Sequence, residues 1–180
     1  MDEIYSEYIY YEIRDINIAK QLSAKAQSRA EILDALQRAQ RLQGAHSTVH
    51  GAAIAAKVGI NPVDLECLDL LQIYGPLPAG QLAAHAGLST ATITTIVDRL
   101  ERSGFVLRDR SGPDRRVVLI RMLPKALQMI GPHYRHLMER LTAMHEKFTD
   151  EELAIVARFI EGTASAVGAA VEALRHETDK

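Results

Sequence analysis

The chain has 180 residues, 47% of them apolar, and a formal net charge of −2. This composition allows one core with a helical extension, and it argues against simple disorder and against polyanion binding through bulk positive charge. The single cysteine, Cys67, excludes an intramolecular disulfide framework and a zinc site built on several cysteines.

Residues 1–27 form a tyrosine-rich arm that holds four of the six tyrosines. Its apolar residues fit helical stripes, although Ile9, Tyr11 and Ile13 also alternate as in a strand. We expect a helix here, with an unstructured leader as the alternative. So many apolar side chains would cover something, such as a partner subunit.

A long helix over residues 28–58 is predicted by apolar residues at helical spacing, Ile32, Leu33, Leu36, Ala39 and Leu42. Gly59 and Pro62 then end this helix and open a second one over 62–74.

The next segment has the pattern of a helix-turn-helix motif. A short helix from Pro78 to Ala86 is followed by a turn at Gly87, and Ser89 is a suitable N-cap for a fourth helix over 90–103. One face of that helix is apolar, with Ile93, Ile96, Val97 and Leu100. The other face carries Thr90, Thr94, Thr95 and Arg99.

The hydrophobic period changes to two after Gly104, which predicts a β-hairpin over 105–110 and 117–122. The turn between these strands is rich in glycine, proline and charged residues. Seven arginines and four acidic residues lie between Ser89 and Met122, so positive charge is concentrated here in an acidic chain.

Two further helices complete the prediction. The fifth begins at Leu123-Pro124 and runs to about residue 146, and the sixth begins with a capping box formed by Thr149 and Glu152. The sixth has a coiled-coil-like seam of Leu153, Ala157, Ile160, Ala164, Val167, Val171 and Leu174. We favour a subunit interface for this seam, with packing inside one subunit as the alternative.

A helix-turn-helix followed by a basic hairpin is the winged form of that motif. Its amphipathic helix fits the major groove of B-DNA, where hydroxyl and guanidinium groups reach base edges and phosphates. The hairpin, or wing, can place an arginine in the narrow minor groove. The predicted fold is therefore mainly α, a winged helix-turn-helix domain with long terminal dimerisation helices.

The sequence resembles the MarR family of bacterial winged helix-turn-helix regulators over about residues 28–175. The resemblance rests on the motifs GINP at 59–62, GPLPAGQLA at 75–83, GLS at 87–89, IVDRLERSG at 96–104 and DRR at 114–116. Residues 1–27, the arm, lie outside the match. Within it, the resemblance implies a dimerisation region over 28–61 and 124–177 and a DNA-binding domain over 62–123.

The resemblance further implies a cytoplasmic homodimer that binds a palindromic operator in double-stranded DNA and associates with the nucleoid when bound. A repressor function is expected, controlled by a small-molecule effector bound between the dimerisation helices and the winged helix. The implied DNA-binding residues are Ser89, Thr90, Thr94, Thr95, Arg99, Arg110, Arg115 and Arg116. Of Arg115 and Arg116, one would enter the minor groove and the other would form a scaffold salt bridge, with Asp98 or Asp114 as partner.

The arm at 1–27 is the largest departure from the family pattern, and two smaller departures bear on these expectations. Many members have arginine in place of Thr95, so the preferred bases should change while the docking is kept. Leu123-Pro124 replaces the usual threonine cap of the fifth helix, and proline can still start a helix.

Other candidate residues have weaker support. His46 and His50 lie one helical turn apart, and we expect them to line an effector cleft, with ordinary surface histidines as the alternative. No nearby ligand completes a metal site around them, so no metal or other cofactor is expected. Cys67 lacks an adjacent cationic residue and is interpreted as a small core residue.

No enzyme motif is present: the chain lacks a phosphate-binding glycine loop, a nucleophile elbow and a His-Glu-x-x-His sequence. The alternative to a DNA-binding regulator is a winged-helix interaction module that binds a protein and not DNA. The absence of a membrane partner is also expected, because the uncharged apolar stretches are shorter than the ~20 residues of a membrane span.

Overall fold

The fold is mainly helical with one small sheet. The computed structural model describes residues 28–110 and 117–178. The predicted arm at 1–27, and Asp114, Arg115 and Arg116 at the wing tip, lie outside the described residues. The elements are α1 Arg29–Val58, α2 Pro62–Tyr74, β1 Leu77–Pro78, α3 Ala79–Ala86, α4 Thr90–Arg102, β2 Val106–Asp109, β3 Leu119–Met122, α5 Pro124–His145 and α6 Asp150–Thr178.

The chain divides into two compact units, Met1–Val49 and His50–Lys180. The described part of the first unit is the N-terminal portion of α1. It begins with a capping box in which the Ser28 backbone N–H donates to Glu31 Oε2 at 2.8 Å. In return, the Glu31 N–H donates to Ser28 Oγ.

The second unit contains the helix-turn-helix and the sheet, packed around one core. The apolar face predicted for α4 is fully buried, and Leu65 and Leu68 of α2 and Leu82 of α3 pack in the same core. The hydrophobic spacing of α4 therefore points its other face outward, which leaves its hydroxyl-bearing residues in solvent.

A three-stranded antiparallel sheet has the order β1-β3-β2. In β2 and β3, Val106 pairs with Met122 and Asp109 pairs with Leu119, which confirms the predicted hairpin. The strand β1 was not predicted, and it takes up Pro78, where the third helix was expected to begin. Leu77 pairs with Ile120, and the helix begins one residue later, at Ala79.

The turn between α3 and α4 depends on Gly87, whose φ of 72° lies in the left-handed region. The Leu88 N–H donates to the Ala83 carbonyl at 3.0 Å, which closes the end of α3. A Cβ at position 87 would lie 3.2 Å from Nη2 of Arg175 near the end of α6. The backbone conformation therefore favours glycine here, and a side chain would also require Arg175 to shift slightly.

Helix α6 begins with the predicted capping box, in which the Thr149 N–H donates to Glu152 Oε2 at 2.9 Å. The helix is exposed along most of its length. By length and composition alone, Asp150–Arg175 could cross a membrane. The prediction made from the sequence considered only uncharged stretches. This helix contains a few charged residues and was therefore not counted as long and apolar enough to span a membrane.

Candidate nucleic-acid interface

The outer face of α4 is built from small hydroxyl residues. Ser89 caps the helix, since its Oγ accepts a hydrogen bond from the Thr92 N–H at 3.1 Å. The hydroxyl of Thr94 donates to the Thr90 carbonyl at 2.9 Å, and that of Thr95 donates to the Ala91 carbonyl at 3.3 Å. All four predicted residues, Ser89, Thr90, Thr94 and Thr95, are exposed, so their oxygens can accept further hydrogen bonds.

Arg99 is bound to another part of the winged helix. Its Nε and Nη2 donate to the two carboxylate oxygens of Asp64 on α2, at 3.1 and 2.5 Å. The Asp64 side chain is 3% exposed and that of Arg99 is 37% exposed. The hydrogen bond to Asp64 raises the pKa of Arg99 above its ordinary value. This bidentate ion pair fixes α4 against α2. It occupies two guanidinium nitrogens of Arg99, a residue that was expected to contact DNA.

Asp64 was missed by sequence reasoning. It is the buried charged residue among the described residues, and its partner lies 35 positions along the chain. An acidic residue in the first turn of a helix is ordinary, because it complements the helix dipole. Glu66 and Asp69 lie in the same helix, so nothing in the sequence indicated that Asp64 in particular is buried against a partner.

A second arginine joins the wing to α4. Arg108 of β2 bonds to Asp98 through Nη2 at 2.5 Å and to Glu101 through Nη1. Its backbone N–H also donates to Glu101 Oε1 at 3.0 Å. Asp98, predicted as a candidate partner of Arg115 or Arg116, thus binds Arg108, which fixes the direction in which the hairpin leaves α4.

The wing itself carries one further ion pair within its described residues. Arg121 of β3 donates to Asp109 Oδ2 of β2 through Nε and Nη2, at 3.1 and 3.0 Å. Arg110, which follows β2, is exposed. The scaffold arginines therefore lie at the base of the wing, and Arg110 is the described arginine nearest its tip.

The two histidines predicted to line an effector cleft have different surroundings. His46 is exposed on the part of α1 that belongs to the first unit. His50 is half-buried, and its ring meets that of Tyr134 edge to face, with centroids 5.4 Å apart. No cluster of three potential metal ligands occurs within the described residues.

Cys67 lies in the core of the second unit and is fully buried. Burial raises the pKa of its thiol to about 11, and the nearby charges of Asp64 and Glu66 add to this. The thiol is therefore protonated at neutral pH, as a structural core cysteine is.

A cavity of about 460 Å³ lies between α2 and α5. Its walls are mostly apolar, and Met122 at the end of β3 forms part of them. Asp69, Gln72 and Tyr134 are its polar lining residues, and the Tyr134 hydroxyl donates to Asp69 Oδ2 at 3.5 Å. Sequence reasoning named none of its lining residues as effector contacts, because its walls come from segments about 60 residues apart that show only ordinary helical patterns.

Comparisons with known proteins agree with this geometry. The family model described as MarR family matches residues 60–118. The uncharacterized HTH-type transcriptional regulator YcgE of Bacillus subtilis (strain 168) is 33% identical over 148 residues, which cover 82% of this chain and 96% of YcgE. The HTH-type transcriptional regulator MhqR of the same organism is 26% identical over 126 residues, which cover 70% of this chain and 84% of MhqR. A MarR family protein from Bacillus stearothermophilus has a TM-score of 0.58 at 28% identity, covering 79% of this chain and 99% of that protein.

Proposed function

Because the chain belongs to the MarR family of transcriptional regulators, which are not enzymes, we propose that it is a homodimeric, effector-controlled repressor that binds a palindromic operator. The observation that carries this proposal is the outer face of α4. A helix whose apolar side is buried and whose exposed side presents hydroxyls from Ser89, Thr90, Thr94 and Thr95 is suited to the major groove. The regulator would act in the cytoplasm, associated with the nucleoid when DNA-bound.

The wing supplies the second contact in this proposal. Arg110, Arg115 and Arg116 would meet the backbone or the minor groove on either side of the recognition helix. Arg99 would contribute mainly by holding α4 on α2, since two of its nitrogens already bind Asp64.

Dimerisation is supported by apolar side chains that helix α6 exposes. Ile160 and Val171 of the predicted seam are exposed, and so is Val156 beside it. An exposed apolar surface of this extent is typical of a protein interface. A second copy of the chain is the proposed partner, because a two-fold dimer presents two recognition helices to the half-sites of a palindrome.

Effector control is proposed for the cavity between α2 and α5. One wall belongs to α2, which also carries Asp64 and thereby holds the recognition helix, and another wall includes Met122 at the base of the wing. An effector that fits the cavity better in a conformation unable to bind DNA would lower operator affinity. His50 does not line the cavity, but its ring contacts that of Tyr134, which does, so His50 is the histidine that we retain as a candidate near the effector.

Selection of bound duplexes from a randomised DNA pool tests the proposal, followed by anisotropy of the selected sequence across a salt series. We expect a two-fold-symmetric sequence with half-sites about one helical turn, roughly 10 base pairs, apart. Failure to enrich any duplex, with and without candidate effectors, would favour the interaction module that binds a protein instead.

A further inference from the structure

The cavity between α2 and α5 has a chemical asymmetry that indicates the charge of its ligand. Its walls are apolar apart from one carboxylate, one amide and one phenol. The volume of about 460 Å³ suits a drug-sized molecule. Ile73 at its rim is 72% exposed, so a ligand can enter from solvent.

Asp69 is the charged group of this cavity. Its carboxylate is half-buried, and its hydrogen-bond partner is the Tyr134 hydroxyl, at the long distance of 3.5 Å. No lysine, arginine or histidine within residues 28–110 and 117–178 forms an ion pair with it. The other buried or half-buried carboxylates described here, Asp64 and Asp109, each bind an arginine. Asp69 therefore differs from these two carboxylates, because it lines a cavity where they are paired with an arginine.

The surroundings of Asp69 disfavour its charged form. Burial raises the pKa of Asp69, the hydrogen bond from Tyr134 opposes the rise, and the charge of Glu66 adds to it. A positive charge placed in the cavity would offset this penalty, because a cation at hydrogen-bonding distance stabilises the ionised carboxylate.

We propose that the effector of this regulator is a small lipophilic monocation, such as a protonated arylalkylamine, whose ammonium binds Asp69 while its apolar body fills the cavity between α2 and α5. The Tyr134 ring offers an aromatic surface beside the carboxylate, which also favours a cation. An anionic ligand would bring two negative charges together in an apolar site. The inference rests on the proposed function for the role of the cavity, but the charge preference follows from the cavity alone.

Three probes with the same naphthalene body and similar size test the charge preference directly. Isothermal titration of the full chain, without DNA, would compare 2-naphthylmethylammonium, 2-naphthylmethanol and 2-naphthoate. We expect the ammonium to bind at least about tenfold more tightly than the alcohol, as a charge-assisted hydrogen bond provides, and the carboxylate to bind least. Equal or tighter binding of 2-naphthoate, or no binding of any probe, would overturn the inference.

Variants locate the effect. Asp69→Asn should lower affinity for the ammonium about tenfold and leave affinity for the alcohol unchanged. Glu66→Gln removes the same charge from α2 at an exposed residue outside the cavity lining. It should lower affinity for the ammonium far less than Asp69→Asn does, and leave affinity for the alcohol unchanged. Unchanged ammonium binding by Asp69→Asn would contradict the assignment. The comparison of three probes on the unmodified chain does not depend on how any variant folds.

Operator anisotropy separates this inference from the proposed function. If the ammonium binds through Asp69 but the chain selects no DNA, the charge preference holds and the regulator proposal fails. If an operator is bound tightly and only the anionic probe binds the protein, the regulator proposal holds and the charge preference fails.

Discussion

Arg99 and Asp64 form a two-point ion pair that joins the recognition helix to α2. Both carboxylate oxygens of the buried aspartate accept hydrogen bonds, from Nε and Nη2 of the arginine. An arginine near the end of α4 thus has a structural partner of its own. We expect Arg99 to affect operator binding mainly because it positions α4, and less through direct contact with DNA.

Replacement of Arg99 should destabilise the fold. Arg99→Ala leaves the buried carboxylate of Asp64 without its partner, and we expect the free energy of unfolding to fall by about 2 kcal/mol. This loss is smaller than is usual for a fully buried ion pair, because Arg99 is partly exposed to solvent. Urea denaturation measures this loss.

The double variant Asp64→Asn, Arg99→Ala serves as the control for that experiment. It removes the uncompensated charge and should recover part of the lost stability. If Arg99→Ala unfolds like the unmodified chain while its salt slope of operator binding becomes smaller, Arg99 is a phosphate contact and the structural assignment is wrong.

Ser89 allows helix capping to be separated from DNA contact. Ser89→Ala should lower the free energy of unfolding by about 1 kcal/mol, because the Thr92 N–H loses its acceptor. Ser89→Asp keeps an acceptor at the cap, so its stability should match that of the unmodified chain, while its negative charge opposes a DNA phosphate. Thermal melting and operator anisotropy of both variants give the two readouts. An aspartate variant that binds the operator normally would place Ser89 away from the DNA.

Local patterns were sufficient for the elements of the winged helix. The spacing of Ile93, Ile96, Val97 and Leu100 defined the buried face of α4, and all four are in the core. The capping box of Thr149 and Glu152 located the start of α6. These features depend on neighbours within one or two helical turns, which a sequence displays directly.

Long-range relationships were not available from the same patterns. The strand β1 has two residues and exists because Leu77 pairs with Ile120, 43 positions later. The bonds of Arg99 to Asp64 and of Arg108 to Asp98 likewise depend on packing between elements. An exposed helical arginine fits DNA contact and a tertiary salt bridge equally well from spacing alone, and only the fold distinguishes them.

The wing arginines should determine the salt dependence of operator binding. Arg110→Ala, Arg115→Ala and Arg116→Ala each remove a positive charge from the hairpin, and a residue that meets a phosphate should reduce the salt slope by about one. Arg135→Ala on α5 is the matched control, because this exposed arginine lies outside the winged helix. A slope that is unchanged in all three wing variants would contradict the proposed docking.

The stability of the protein should depend on pH through Asp69. Its pKa is raised in the folded chain, mainly by burial, so the unfolded chain loses this proton first as the pH rises. The folded state is therefore penalised as the pH rises from the ordinary aspartate pKa through the raised one, and the penalty stays constant above both. Asp69→Asn removes it, so the variant should melt at a higher temperature than the unmodified chain at pH 7.

The melting-temperature difference between these two proteins should shrink as the pH approaches about 4, near the ordinary aspartate pKa. Calorimetric scans across this interval measure it. A difference that is independent of pH would show that the Asp69→Asn substitution acts through packing and not through the lost charge.

Disruption of the α6 seam should dissociate the proposed dimer. Val167 is 64% exposed in the single chain, and Val167→Glu would place a charge in the proposed interface with a second copy. Ala169→Glu adds the same charge two positions later, on the opposite side of the helix. Light scattering after gel filtration should show a monomer for Val167→Glu and a dimer for Ala169→Glu. The monomer should also bind the operator more weakly, since one recognition helix then reads one half-site. A dimer in both variants would place the subunit interface away from this seam.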